Sequence, residues 1–233
     1  MTGTIINFVL IIIGSLIGLL FGKKLSDDLK GTLVSTLGLF TAGVGLSMFL
    51  KNENPLFTLV ALVVGGIIGE WWNIEGKIAG LGVWLEKRFT GNSDGSSSNF
   101  VRGFLVSSVL FCTGPMAILG AISDGLHGDY LTLAIKSIMD GIISIAFSST
   151  LGIGVMFSAI PVTIYQGTIA LLSNQLQGVI TESMMNEMTA TGGILLMGIG
   201  VSSLMELRKI RVGNLLPALF LSPLFVYLLS LFK

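Results

Sequence analysis

The sequence predicts an all-α polytopic membrane protein of about eight transmembrane segments, two of them broken, with an inverted repeat. Three observations predict it. Of the 233 residues 52% are hydrophobic and 11% charged, with a mean hydropathy of +0.88. A soluble domain carries about 25% charged residues, so this chain cannot cover its surface in water. Long apolar runs recur from end to end. Finally, two stretches carry the pattern Thr-x-Gly-x₄-Gly-x-Gly-x-Ser: Thr36, Gly38, Gly43, Gly45 and Ser47, then Thr191, Gly193, Gly198, Gly200 and Ser202.

Taken in order, a ruler of about 20 apolar residues per crossing places spans at 4–21, 28–50, 55–72, 99–122, 130–150, 151–173, 183–206 and 213–232. The first ten residues contain no Lys or Arg. A cleaved signal peptide needs a basic start and a small-residue cleavage site, so the first run reads as a retained span. Ser26-Asp27-Asp28 and Thr181-Glu182-Ser183 precede the two glycine copies at the same shift. Each predicts a hydroxyl-capped helix start followed by acids. Residues 73–89 place Ile74, Ile78, Leu81 and Leu85 on one helical face, which with Trp71, Trp72 and Trp84 predicts an interfacial helix. Residues 91–98 read as a hydrophilic linker. The chain is thus one transmembrane domain over 1–233: repeat one at 4–72, interfacial helix and linker at 73–98, central spans at 99–150, repeat two at 151–232.

Two spans are interrupted. Cys112-Thr113-Gly114-Pro115 lies inside the fourth; Gly152, Gly154 and Pro161 lie in the sixth. Proline removes a backbone donor and clashes with the preceding turn. Broken backbone at membrane depth is tolerated where protein or a polar cavity satisfies it.

Basic residues orient the chain. Lys23, Lys24 and Lys30 follow span one; Lys77, Lys87, Arg88 and Arg102 lie between spans three and four; Arg208, Lys209 and Arg211 lie between spans seven and eight. With eight spans these groups share one side, which the positive-inside rule makes cytoplasmic. Both termini then face outward, and the glycine copies run antiparallel.

Charges in a bilayer are expensive and point to function by default. Asp140 lies near the middle of span five, with Lys136 four residues earlier on the same face; the pair serves either as a neutralising salt bridge or as an ion-coupling site. The break at Thr113, Gly114 and Pro115 frees carbonyls that bind cations and exposes a helix N-terminus that binds anions. Tyr165 and Gln166, with Thr168, follow the Pro161 break and could line the same cavity. Glu70 reads as interfacial. Asp124, His127 and Asp129 read as a solvated loop; their spacing is no metal motif and none is expected. Glu182, Asn186 and Glu187 belong at the outer entrance to span seven. A single cysteine, Cys112, excludes an intrachain disulfide. The Walker and His-Glu-x-x-His patterns are absent from the sequence, so neither an enzyme nor a cofactor is expected. Zero net charge argues against a nucleic-acid partner.

The segments VLFCTGPMAILGAISDGLHGDY, KSIMDG and AFSSTLGIGVMFSAIPVTIYQG resemble the bacterial inner-membrane proteins catalogued as the family of domain of unknown function 554. On this resemblance Gly114, Pro115, Asp124, Asp140, Gly152, Gly154 and Pro161 fall on the recurring pattern. The resemblance implies a polytopic bacterial membrane protein, loosely described as a transporter, and supplies no substrate. The combined expectation is a secondary transporter for a small ion or solute in the bacterial cytoplasmic membrane, with the lipid bilayer as its surroundings. Glycine faces serve packing within the chain or in a homo-oligomer. A channel, or a non-transporting scaffold docking through 73–89, is the alternative.

Overall fold

A computed structural model of the chain describes residues 1–89, 97–113, 115–176, 178–204 and 210–230. The described residues are helical, with no strand among them. The elements are α1 (Thr2–Gly22), α2 (Asp27–Phe49), α3 (Pro55–Trp72), α4 (Ile74–Phe89), α5 (Ser97–Cys112), α6 (Pro115–His127), α7 (Leu131–Leu151), α8 (Gly154–Phe157), α9 (Ala159–Leu171), α10 (Ser173–Leu176), α11 (Glu182–Ile199) and α12 (Ala218–Ser230). A π-turn (Gly200–Leu204) extends α11, and a 3₁₀ turn (Val212–Leu215) leads into α12.

Six helical runs are long and apolar enough to cross a membrane: α1, α2, α3, α7, the run Gly154–Leu171, and Val212–Ser230. The α5–α6 pair, bent by 61°, makes a seventh when taken as one broken span. The chain is a multi-pass membrane protein. The predicted seventh span is α11, which is not among those runs because its first turns carry Glu182, Asn186 and Glu187. It nevertheless runs the depth of the fold alongside α2.

Local chemistry explains the helix starts. Ser26 Oγ accepts from Leu29 N–H at 3.4 Å and Thr181 Oγ1 from Met184 N–H at 3.2 Å, the two hydroxyl caps the sequence predicts. Asn54 caps α3 through Leu56 N–H, with Pro55 following it. Asn73 closes α3 with φ of 47° before α4 begins. Gly152 closes α7 with φ of 77°, a conformation a side chain would resist. The linker residues 91–96 lie outside the described residues, and Ser97 and Ser98 already belong to α5.

Helices pair through glycine contacts that fix their direction. A side chain at Gly14 would strike the Gly141 carbonyl, at Gly18 Ile145 and Ser148, at Gly22 Ser149, and at Gly3 Leu133, so α1 and α7 run parallel. On α2, Gly38 opposes Gly200 and Gly45 opposes Gly193, so α2 and α11 run antiparallel. On α3, Gly65 meets Ala218 and Gly69 meets Asn214, so α3 and α12 are antiparallel. Asn7 bonds Gln166 while Ile11 packs in one cluster with Ala159 and Val162, so α1 and α9 are antiparallel too.

Two groups of helices result. One is α2, α3, α11 and α12; the other is α1, α6, α7 and α9. Between them lies α5, whose Leu105, Val106 and Val109 pack with Phe147, Leu151, Leu195, Leu196 and Ile199 in the largest apolar core. One end of the bundle, here the basic end, holds Lys23, Lys24 and Arg211; the opposite end holds the α2–α3 loop and Asp124.

Candidate functional site

Pro115 has no N–H, so the Phe111 carbonyl four residues earlier loses its helical partner. Lys136 supplies one: its Nζ donates to Phe111 O at 2.6 Å and sits 5.6 Å from the Phe111 ring centroid. The same ammonium pairs with the Asp140 carboxylate, one turn along α7. Lys136 is 7% and Asp140 5% exposed. A buried charge is stable only when paired and hydrogen-bonded, and here the helix break, the lysine and the carboxylate satisfy one another. The break is therefore part of the ion pair's surroundings.

Around this pair stand amides. Asn7 on α1 lies beside Asp140, and its Nδ2 donates to Gln166 Oε1 on α9 at 3.2 Å. Both residues have zero exposure, and Asn7 Oδ1 and Gln166 Nε2 each lack a protein partner. A buried acceptor and donor left open in this way are costly and suit a polar guest. Cys112, the last residue of α5, senses both charges of the pair. Lys136, Asp140 and Gln166 are thus brought together from α7 and α9, and Asn7 completes the group. Asn7 was legible only as a lone amide in the apolar run of the first span.

The other expected residues divide. Thr113 is buried, donates to Val109 O and rests against α11 at Gly192. Gly114 lies outside the described residues. Pro115 opens α6. Gly152 and Gly154 are not at this site. They lie at the basic end, where Gly154 abuts the Phe100 carbonyl, and Gly152 is roughly 18 Å along α7 from Asp140 at about 1.5 Å per residue. Pro161 lies in the first turn of α9; the run Gly154–Leu171 is interrupted at Ser158 just before it, without the sharp bend of the α5–α6 pair. Tyr165 does not bond the pair; its hydroxyl lies 3.7 Å from Met188 Sδ. With Ile164, Thr168, Met184, Met185 and Phe220 it lines an apolar cavity of about 600 Å³.

Both ends of α3 are clamped. At the opposite end Glu187, with zero exposure, accepts from Glu53 N–H (3.0 Å), Asn54 N–H (2.7 Å) and Thr58 Oγ1 (3.1 Å). Glu53 in turn accepts from Ser183 and Asn186, which hold its carboxyl below the ordinary range. At the basic end Glu75 accepts from Gly213 N–H at 2.9 Å and donates its own N–H to Asn214, while Glu70 takes Asn214 and Arg211. Burial raises the Glu75 carboxyl above its usual range, against the pull of Gly213 and Arg211. Asp124 is buried and accepts from the Met1 ammonium and Gly3 N–H, tying α6 to the start of α1. Among the described residues no three His, Cys, Asp or Glu side chains form a metal-binding group.

The family model for the protein of unknown function DUF554 matches residues 2–227. The chain belongs to the DUF554 family. It is 33% identical to the uncharacterized membrane protein YdfK of Bacillus subtilis (strain 168), over all of this chain and 98% of that protein. It is 29% identical to the uncharacterized protein YqgA of Escherichia coli (strain K12), over 94% of each. No solved structure matches it. In this DUF554 chain the break at Cys112–Pro115 and the carboxylate at Asp140 meet through one lysine.

Proposed function

We propose that this protein is a secondary transporter that moves a small ion or solute across the bacterial cytoplasmic membrane by alternating access. The observation that carries the reading is the Lys136–Asp140 pair buried against the broken α5–α6 span, with the open amide atoms of Asn7 and Gln166 beside it. A polar guest entering this group exchanges hydrogen bonds with charges already held in place, so binding and re-pairing are coupled. The protein is not an enzyme in this reading, and the basic end faces the cytoplasm, both termini facing outward.

The glycine helices support an inverted repeat. The motif positions pair reciprocally: the second glycine-copy member opposite Gly38 is the counterpart of Gly45, and the one opposite Gly45 is the counterpart of Gly38. A two-fold axis in the membrane plane produces such pairs. The same axis would mate α1 with α9 and α3 with α12, which are also antiparallel neighbours. Rocking then involves the group α2, α3, α11 and α12 against the group α1, α6, α7 and α9, with α5 between them.

The test is reconstitution in proteoliposomes on a solid-supported membrane, with concentration jumps of alkali cations, inorganic anions, amino acids, organic acids and sugars. A saturable transient current for one class, abolished in Asp140→Asn, is expected. Linear, unsaturable current would replace the carrier with a channel. For the repeat, single cysteines at Ser26 and Thr181 in a Cys112→Ala background should label from opposite faces of oriented vesicles; labelling from one face would end the inverted repeat.

A further inference from the structure

Asp140 stands on a buried polar seam that continues beyond the ion pair. Toward the basic end, one turn past Asp140 on α7, Ser144 has zero exposure and its Oγ has no protein partner. Ser15 on α1 has zero exposure and an unpartnered Oγ, and its carbonyl accepts from Ser148 Oγ at 3.0 Å. On α5, Gly103 abuts Leu151 and Phe111 meets Lys136. Ser107 lies midway between them along α5, a position between the levels of Leu151 and Lys136 on α7. It too has zero exposure and an unpartnered hydroxyl. Three helices thus each contribute a buried, open hydroxyl to this stretch of the bundle. One turn further down the seam Ser148 follows, its hydroxyl donating to Ser144 O at 2.6 Å. Beyond it Ser149 and Thr150, both half-buried, reach the end of α7.

Buried hydroxyls facing only apolar side chains would cost free energy without return. Ser144 and Ser148, four residues apart on α7, are separated by about 6 Å along its axis, which is one water wide between two hydrogen-bonding oxygens. We propose that Ser148, Ser144, Ser15 and Ser107, bridged by water, form a proton path from the basic end to Asp140, which makes the proton the coupling ion. This deepens the transporter reading and rests on it only for the proton's role as coupling ion. A proton from the aqueous phase at the basic end binds an Asp140 carboxylate oxygen and forms one O–H bond. The Lys136 Nζ–H···Oδ2 contact is given up as the carboxylate becomes a carboxylic acid. Lys136 keeps its charge and its bond to the Phe111 carbonyl. The groups that face Asp140 are Lys136 on α7, Cys112 on α5, with Tyr165 on α9 behind it, and the uncharged Asn7 on α1. No further charge from those helices competes for the proton among the described residues.

Time-resolved infrared spectroscopy of the whole protein in proteoliposomes tests this without a known solute. After a downward pH jump at the basic face, a carboxylic C=O band should appear that is missing in Asp140→Asn. In Ser107→Ala/Ser144→Ala the band should reach the same amplitude at least tenfold more slowly. Ser144→Thr, which keeps the hydroxyl, and Ser35→Ala, exposed on α2 and off the seam, should keep the wild-type rate. An unchanged rate in the double alanine variant, equal slowing in Ser35→Ala, or no Asp140-dependent band overturns the path. If the path holds while no solute drives a current, the transporter reading fails and the path stands; solute currents with no Asp140 band do the reverse.

Discussion

The α2–α11 seam and the α1–α7 seam both rest on glycines that let two backbones touch, yet they do different work. At the first, the four meeting motif positions are glycines, the helices are antiparallel, and the buried carboxylate of α11, Glu187, turns to the α2–α3 loop and Thr58. At the second, the helices are parallel and the glycines alternate with Asn7, Ser15, Asp140, Ser144 and Ser148. Small residues give close packing where lipid supplies no hydrophobic drive between helices. In the α1–α7 seam the same closeness also shields polar groups from lipid. The repeated motif, which stands out most in the sequence, is the packing device. The buried ion pair and open amides lie beside the seam that lacks the motif.

The sharpest way to break this contrast is to unpair the charges. Lys136→Met leaves the Asp140 carboxylate without its cation and the Phe111 carbonyl without a donor. Breaking a buried pair from one side costs about 3–5 kcal/mol, so thermal unfolding in detergent should fall steeply. Lys136→Met/Asp140→Asn should recover most of that loss, because the uncompensated charge is gone. A single-variant loss under about 1 kcal/mol would mean that the pair behaves like an exposed salt bridge, and the α1–α7 seam would lose its special status.

A smaller effect sharpens the packing side. A methyl at Gly45 would run into the Gly193 carbonyl and the Met197 N–H, both backbone, so Gly45→Ala should destabilise by about 1–3 kcal/mol. Gly43 belongs to the same motif but has open space around its missing side chain. Gly43→Ala should therefore be neutral or stabilise by up to about 1 kcal/mol through helix propensity. Unfolding of the two variants side by side checks the claim. Equal losses would return the motif to a uniform role that the α2–α11 contact does not give it.

How much of this was legible in the sequence follows from what a sequence encodes. Spacing along one helix is readable: Lys136 and Asp140 are one turn apart, Ser26 and Thr181 start helices, and Pro115 ends one. Spacing also led astray where position within the helix mattered. Pro161 marks an interruption, at Ser158 between α8 and α9, but not a bend like that of α5–α6. Gly152 and Gly154 looked like site residues until α7 carried them to its far end. Asn7 could not be assigned, because its partners Gln166 and Asp140 are more than a hundred residues away. The meeting of α1 with α7 is decided by tertiary packing alone.

The smallest expected effect lies at the two clamps that hold α3, and it has opposite signs at the two ends. Burial raises the Glu75 carboxyl above its ordinary value of 4.5. The folded state then binds the proton more tightly than the unfolded chain, so this contribution is whole below pH 4.5 and is lost as pH rises through the folded value. Hydrogen bonds from Ser183 and Asn186 lower Glu53 from the same ordinary value, so its contribution is present above pH 4.5 and is lost as pH falls through the folded value. Melting temperatures across the acid range, compared among wild type, Glu75→Gln and Glu53→Gln, separate the two. Glu75→Gln should flatten the decline on the side above pH 4.5, and Glu53→Gln the decline below it. The Glu53 change should be the fainter, since its carboxylate is in contact with water, where solvent screens what Ser183 and Asn186 offer. If both variants altered the same limb of the profile, the two clamps would not be distinct, and α3 would be held in the same way at both ends.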